Sequence, residues 1–166
     1  MIALLVAACS SQEPQRGKGT ALSGGTQSNG TVGFEHVKAG DIFWFALPVP
    51  ANTSDEPIEI TGASVVEVPK GIKVLRYGAY SLDDTEGLAL LTEEGDKYTP
   101  AFGRLKDHAK EGVKVAAHSS SDIYYLARLK ITGEPTRSVR YCKFDYRQGG
   151  RELTQTLDCE VELTSK

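Results

Sequence analysis

Residues 123–131 read IYYLARLKI. Ile123, Tyr125, Ala127, Leu129 and Ile131 place an apolar or aromatic group at every second position, while Arg128, Lys130 and then Thr132 take the other side. A period of two belongs to a strand whose successive side chains point to opposite faces, so the pattern predicts a half-buried antiparallel strand. Gly133-Glu134-Pro135 turns the chain, and two further strands are expected over residues 139–147 and 151–163. Gly149-Gly150 joins them, because glycine accepts positive φ at both centres of a tight hairpin. Cys142, Phe144 and Tyr146 then share one face, as do Leu153, Leu157, Cys159 and Val161. An ideal two-residue turn sets Cys142 opposite Leu157 instead of Cys159, so a Cys142–Cys159 bridge requires a bulge, a four-residue turn or a diagonal link.

Upstream the same vocabulary recurs. Residues 32–37 alternate weakly, and the dense run 42–47, IFWFAL, ends at Pro48 and Pro50. Apolar groups on both sides of that run predict a central strand, which makes Trp44 a core residue first and a ligand platform second. Residues 58–60 and 63–68 read as one strand interrupted near Gly62 by a bulge; residues 72–77 and 88–91 supply two more. The segment 92–112 is the one long irregular connection, with a short helical turn expected around residues 105–110. Long loops on β scaffolds often carry function, so Tyr98, Phe102, Arg104 and His108 form the candidate binding surface, against the plainer reading of a solvated connection with an aromatic tucked onto the sheet.

A chain of 166 residues with 40% hydrophobic content fits one domain with a core of its own. The formal charge of -3 with interspersed signs offers no basic stripe, which argues against a nucleic-acid partner. About eight strands bounded by turn signals predict an all-β, antiparallel sandwich.

The first ten residues, MIALLVAACS, are too short an apolar run to cross a hydrocarbon core of about 30 Å. Val6, Ala7, Ala8 and Cys9 resemble the lipobox of a bacterial lipoprotein signal, in which an aliphatic and two small residues precede a cysteine that carries lipid. One departure is that no Lys or Arg precedes the apolar run; a start placed too late or a missing upstream piece would account for it. The resemblance implies a signal remnant over residues 1–8, lipidation at Cys9, anchoring to the cell membrane on its extracytoplasmic face, and a flexible tether over residues 9–30 rich in Ser, Gly, Gln and Thr. The β domain would then span residues 31–166. With Cys9 lipidated, Cys142 and Cys159 are the two cysteines left for an exported domain to pair, a link expected to stabilise by about 3 kcal/mol.

The C-terminal block also resembles a family of uncharacterised actinobacterial secreted or membrane-tethered proteins with immunoglobulin-like sandwiches. The residues that carry it are Tyr124-Tyr125-Leu126-Ala127-Arg128-Leu129 and the hairpin Tyr146-Arg147-Gln148-Gly149-Gly150-Arg151, followed by Glu152-Leu153-Thr154-Gln155-Thr156. The resemblance covers the last third of the chain and implies a fold and a compartment, with no chemistry to carry over.

No catalytic, metal or cofactor constellation is expected. His118-Ser119-Ser120-Ser121-Asp122 contains the residue types of a serine triad, yet adjacency in sequence is not triad geometry and no nucleophile elbow accompanies it. A cupredoxin-type copper site needs two imidazoles and a thiolate, and His36, His108 and His118 stand apart from the late cysteines, with Met1 as the sole methionine. Tyr77, Tyr80, Tyr98 and Phe102 are candidate glycan platforms, and the glycosylation patterns at Asn29 and Asn52 are read as accidental. The leading expectation is a non-catalytic surface module that contacts a protein or cell-wall component; a glycan- or small-ligand-binding lipoprotein is the alternative, and a hydrolase a third.

Overall fold

The computed structural model describes residues 16–166, so the signal remnant and Cys9 lie outside the described residues. The chain is all-β. Its strands are β1 (Gly17–Lys18), β2 (Leu22–Ser23), β3 (Thr31–Phe34), β4 (Ile42–Ala46), β5 (Ala51–Asn52), β6 (Ile58–Glu67), β7 (Ile72–Ser81), β8 (Leu91–Glu93), β9 (Val113–Val115), β10 (Ser119–Ser120), β11 (Ile123–Ile131), β12 (Val139–Gln148) and β13 (Arg151–Leu163). The expected eight strands thus become thirteen in three sheets, and the seven that are four residues or longer, β3, β4, β6, β7, β11, β12 and β13, carry the architecture. One sheet runs β1-β13-β12-β6-β9 with β3 also on β13; a second runs β7-β11-β4-β8; a small third runs β10-β5-β2.

The two larger sheets share one core. Phe43, Phe45 and Leu47 from the second sheet and its border meet Ile58, Ile60, Phe144 and Val161 of the first in a single buried cluster. Tyr125 and Phe144 cross edge to face at 6.1 Å. β11 supplies Tyr125, Ala127, Leu129 and Ile131 to this core, as its alternation requires. Its other face is not uniformly wet: Tyr124 and Leu126 are buried in a second cluster with Trp44, Ala46, Tyr80 and Phe102, while Lys130 is exposed. The half-buried reading therefore holds only for the later half of β11. The reason is the connection after β7, which crosses the outer face of the second sheet and covers it.

That connection departs from expectation in detail. Residues 88–90 are not in a strand, and β8 begins at Leu91. The helical turn is a 3-10 turn over Phe102–Arg104, not residues 105–110. It ends in a latch on the free edge of β7: the Ala79 N–H donates to Asp107 Oδ1 at 2.9 Å, and the His108 N–H donates to the Ala79 carbonyl at 2.8 Å. Pairing the edge in this way removes an exposed template for aggregation.

The hairpin forms as read. Gln148 pairs with Arg151 across Gly149 and Gly150, whose φ values are 54° and 75°. Cys142 sits opposite Leu157, and a register shift between Arg140 and Cys142, with Tyr141 at φ 63°, brings Cys159 into reach. The Cys142–Cys159 disulfide spans a Cα–Cα distance of 5.8 Å. The interruption near Gly62 is likewise a register shift, falling where β12 passes from Asp145 to Tyr146.

The spacer expected to end at Gly30 is corrected. From Arg16 onward the chain is packed: β1 and β3 lie parallel along the free edge of β13, and Ala21 and Leu22 enter the main core. Gln155 clasps the Leu22 backbone, its Oε1 accepting the N–H at 2.9 Å and its Nε2 donating to the carbonyl at 2.7 Å. Tyr146 Oη accepts the Ala21 N–H at 3.1 Å. Composition misled because these partners are backbone groups, which any residue supplies.

Candidate functional site

A cleft of about 440 Å³ opens on the outer face of the second sheet, between strands and the covering loop. A row of cross-strand neighbours builds its floor: Arg76 on β7 pairs with Arg128 on β11, and Arg128 with Trp44 on β4. Even numbers on β4 point outward because Phe43 and Phe45 point in. Phe102 and Arg104 of the 3-10 turn, together with Thr99 and Pro100, make the opposite wall.

Trp44 is nearly buried, 3% exposed, and held on every side. Phe102 packs against it at 4.7 Å and Tyr80 edge-on at 6.2 Å. The Arg76 guanidinium lies over the ring at 4.9 Å and that of Arg128 at 5.8 Å. Its Nε1–H donates to Glu94 Oε2 at 3.0 Å. The same carboxylate receives a two-pronged contact from Arg128, Nε at 2.7 Å and Nη2 at 2.5 Å. The hydrogen bonds from Arg128 hold the Glu94 carboxyl below the usual carboxylate range, against the opposing effect of burial, and Glu94 in turn raises Arg128.

Arg76 is differently placed. It meets Tyr80 Oη at 3.3 Å, and Asp107 stands off at 3.7 Å. Burial raises the Tyr80 hydroxyl, and the neighbouring Arg76 pulls it back, so the phenol remains neutral at physiological pH. The guanidiniums of Arg76 and Arg128 therefore lie over the aromatic floor of a concavity that Arg104 also lines, and that of Arg128 is already satisfied by a carboxylate.

Of the four loop residues singled out in the sequence, the structure brings Phe102 and Arg104 to this cleft. Phe102 is buried wall, not exposed platform. Tyr98 is 80% exposed with the Lys97 ammonium over its ring, outside the cleft lining. His108 is in the β7 latch, its Nδ1 at 3.6 Å from Glu111. Tyr77 and Tyr80 are not exposed platforms either: Tyr77 packs onto the main core, its Oη accepting the Val65 N–H, and Tyr80 is buried under the covering loop on the outer face. Sequence reading missed Arg76, Glu94 and Arg128. Arg128 was visible as an outward position of an alternating strand, but strict alternation sets Arg76 with Ile72 and Val74, and the register shift at Leu75 that turns it outward has no local mark.

The remaining candidates do not assemble into chemistry. His118 Nε2 lies 2.8 Å from Asp55 Oδ1 with both side chains exposed, while Ser119 Oγ and Ser121 Oγ donate to the carbonyls of Ala117 and Ile123. No group of three His, Cys, Asp or Glu suited to a metal ion occurs among the described residues. The Asn52 amide is buried and spent on Glu56, Ala116 and Ser54, which makes its glycosylation pattern a turn motif. A larger concavity of about 580 Å³ lies between β9 and the Gly149-Gly150 turn, where Pro57, Ile58, Val115 and Ala116 line it together with Glu59, Lys114 and Arg147. No helix of the described residues is long and apolar enough to cross a membrane.

No family model and no curated protein matches the sequence. A solved structure, the VesB protease of Vibrio cholerae, aligns at 11% identity with a TM-score of 0.34, over 79% of this chain and 29% of that one. The chain thus spans under a third of the protease, and a likeness at that level assigns neither fold nor activity.

Proposed function

We propose that this chain is a non-catalytic, ligand-binding module of immunoglobulin-like topology, displayed on the outer side of a bacterial membrane. The strand order supports the topology: β4-β11-β7 corresponds to strands B, E and D of that fold, β6-β12-β13 to C, F and G, and β3 runs parallel to the last strand. It departs from the antibody pattern in that the disulfide ties the last two strands of one sheet and does not bridge the sheets, that Trp44 lies on β4 and not on β6, and that β8 flanks β4. Between a surface module with a flat apolar patch and a module with a binding concavity, the arginine cleft favours the second. The observation that carries the reading is the convergence of Arg76, Arg104 and Arg128 on one recess over Trp44.

The lipobox resemblance supports the location. Cys9 would carry the lipid, and the six residues between it and Arg16 reach at most about 20 Å when extended. Because Arg16 is tied to Asp145 at 2.7 Å, the domain would ride close to the bilayer. Intact mass of protein extracted from native membranes tests this: a diacylglyceryl mass on a chain beginning at Cys9 is expected, and an unmodified cysteine there rejects the anchor.

Trp44 is the protein's one tryptophan, so its emission reports the cleft alone. Titration with a panel of organic acids, acidic oligosaccharides and peptides is expected to shift that emission saturably for at least one class, and Arg104→Ser to weaken the response. A panel that leaves Trp44 unmoved, with the protein folded, sinks the reading.

A further inference from the structure

The cations of the cleft continue beyond it. β7 and β11 place Arg76 opposite Arg128 and, one repeat along, Lys73 opposite Lys130. Leu75 is the extra residue of the register shift between them, which keeps both pairs on the outer face. Like charges directly opposite each other destabilise a sheet, so two such pairs in succession are a cost that packing does not explain. Glu94 neutralises Arg128 and Asp107 stands near Arg76, but Lys73, Lys130 and Arg104 make no ion pair among the described residues. Lys73 and Lys130 are exposed. A chain with a formal charge of -3 thus carries four cations on one face of one sheet, with Arg104 of the covering turn a fifth beside them.

Two details indicate what belongs there. First, Arg128 and Glu94 already show the arrangement the surface favours: a planar guanidinium beside Trp44 that grips a carboxylate by two N–H groups. Arg76 presents the same fork on the same ring, with its nearest carboxylate at only 3.7 Å. Second, the two cation pairs repeat along the strands at about 7 Å, the i to i+2 spacing of extended chain. An extended peptide with acidic residues at alternate positions carries its carboxylates at the same interval on one side. Resting on the reading of the cleft as a ligand site, we infer that its ligand is an extended acidic peptide of a partner protein, with Glu or Asp at alternate residues, lying along β7 and β11. The leading carboxylate enters the cleft to meet Arg76 and Arg104, and the next meets Lys73 and Lys130.

The test uses the full chain and Trp44 emission, with the peptide Ac-(Glu-Ser)4-NH2 as probe, the equally charged Ac-(Glu-Glu-Ser-Ser)2-NH2 as register control, and oligogalacturonate as a carboxylated polymer of different geometry. The alternating peptide is expected to bind saturably, several-fold more tightly than the control, with affinity falling as salt rises. Lys73→Glu/Lys130→Glu, which keeps a like-charge pair, is expected to weaken it at least tenfold with thermal melting unchanged, and Lys73→Ser/Lys130→Ser, which removes one, to weaken it by less with melting unchanged or raised. Equal binding of the two peptides overturns the alternating geometry. Oligogalacturonate moving Trp44 while neither peptide does overturns the peptide assignment and leaves the cleft a ligand site. Silence of all three probes defeats this inference, whereas the cleft reading falls only when the wider panel is silent too.

Discussion

Tyr124 and Tyr125 are adjacent, equally buried and unequal in their hydroxyls. Tyr124 Oη donates to Thr85 Oγ1 at 3.1 Å, whereas Tyr125 Oη has no hydrogen-bond partner among the described residues, and burial raises its pKa far above the ordinary phenol value. Removing a satisfied hydroxyl costs about 1 kcal/mol, while removing an unsatisfied one relieves a desolvation penalty. Tyr124→Phe is therefore expected to lower the urea midpoint and Tyr125→Phe to leave it unchanged or raise it; the reverse order would contradict the hydrogen bonding described. Glu94 sets a pH dependence. Its folded pKa lies below the unfolded value of about 4.3. The carboxylate form thus favours the fold, with the contribution complete above the unfolded value and lost as pH falls through the folded one. Because the Arg128 and Glu94 side chains are 26% and 36% exposed, the contribution is about 1 kcal/mol or less. Glu94→Gln should flatten the loss of urea stability between about pH 5 and pH 3. A wild-type slope equal to the variant's would show that the pair adds nothing. Gly19 is a third such position: a Cβ there would lie 2.0 Å from Tyr146 Oη, whose ring is fully buried. Gly19→Ala should cost about 1–3 kcal/mol by overpacking, measured by denaturant melts against Gly30→Ala, where a Cβ meets nothing within 4 Å.

β13 is long enough to carry two parallel partners on one edge, and the chain between them enters the core at Ala21 and Leu22, pairs with β5 as β2 and returns through a 3-10 turn over Gly25–Asn29. If the N-terminal strands are part of the domain, Leu22→Ala removes packed side chain from the core and costs about 2–3 kcal/mol. A merely tethering segment would leave the urea midpoint where it was. The β12-β13 hairpin makes its own demand. Its disulfide closes a separation of 17 residues. Loop-entropy arguments put the stabilisation near 3 kcal/mol, so Cys142→Ala/Cys159→Ala should lose about 2–4 kcal/mol in equilibrium unfolding. The covering loop is held differently, by Phe102 wedged against Trp44 and Tyr80 and by the latch at Ala79. Phe102→Ala should cost about 3 kcal/mol and redshift Trp44 emission as water reaches the indole; an unshifted spectrum would mean the loop does not roof the ring.

Both cores lean on the second sheet, since β4 gives Phe43 and Phe45 to one and Trp44 and Ala46 to the other. One strand with a buried group on each face couples them, so thermal curves followed by Trp44 emission and by far-ultraviolet circular dichroism should coincide. What was legible beforehand is what neighbours along the chain decide. The period of two in β11, the glycines at positive φ in the last hairpin and the partnering of Cys142 with Cys159 all depend on residues within about 20 positions of one another, while the interruption near Gly62 was marked by the glycine itself although its register partner is Asp145. The cleft was not legible. Trp44, Arg76, Glu94 and Arg128 come from four segments, and their meeting depends on which strands pair and in which register, a choice made by burial of the opposite faces. The packing of residues 16–30 was hidden for a related reason: the groups that hold it are main-chain N–H and C=O, common to every residue and silent in composition. Side-chain order along the chain therefore established the class of fold, its hairpin and its covalent link, whereas only the lateral assembly of strands could bring the guanidiniums of Arg76 and Arg128 to one indole, because proximity across a sheet is set by hydrogen-bonded edges and not by distance in sequence.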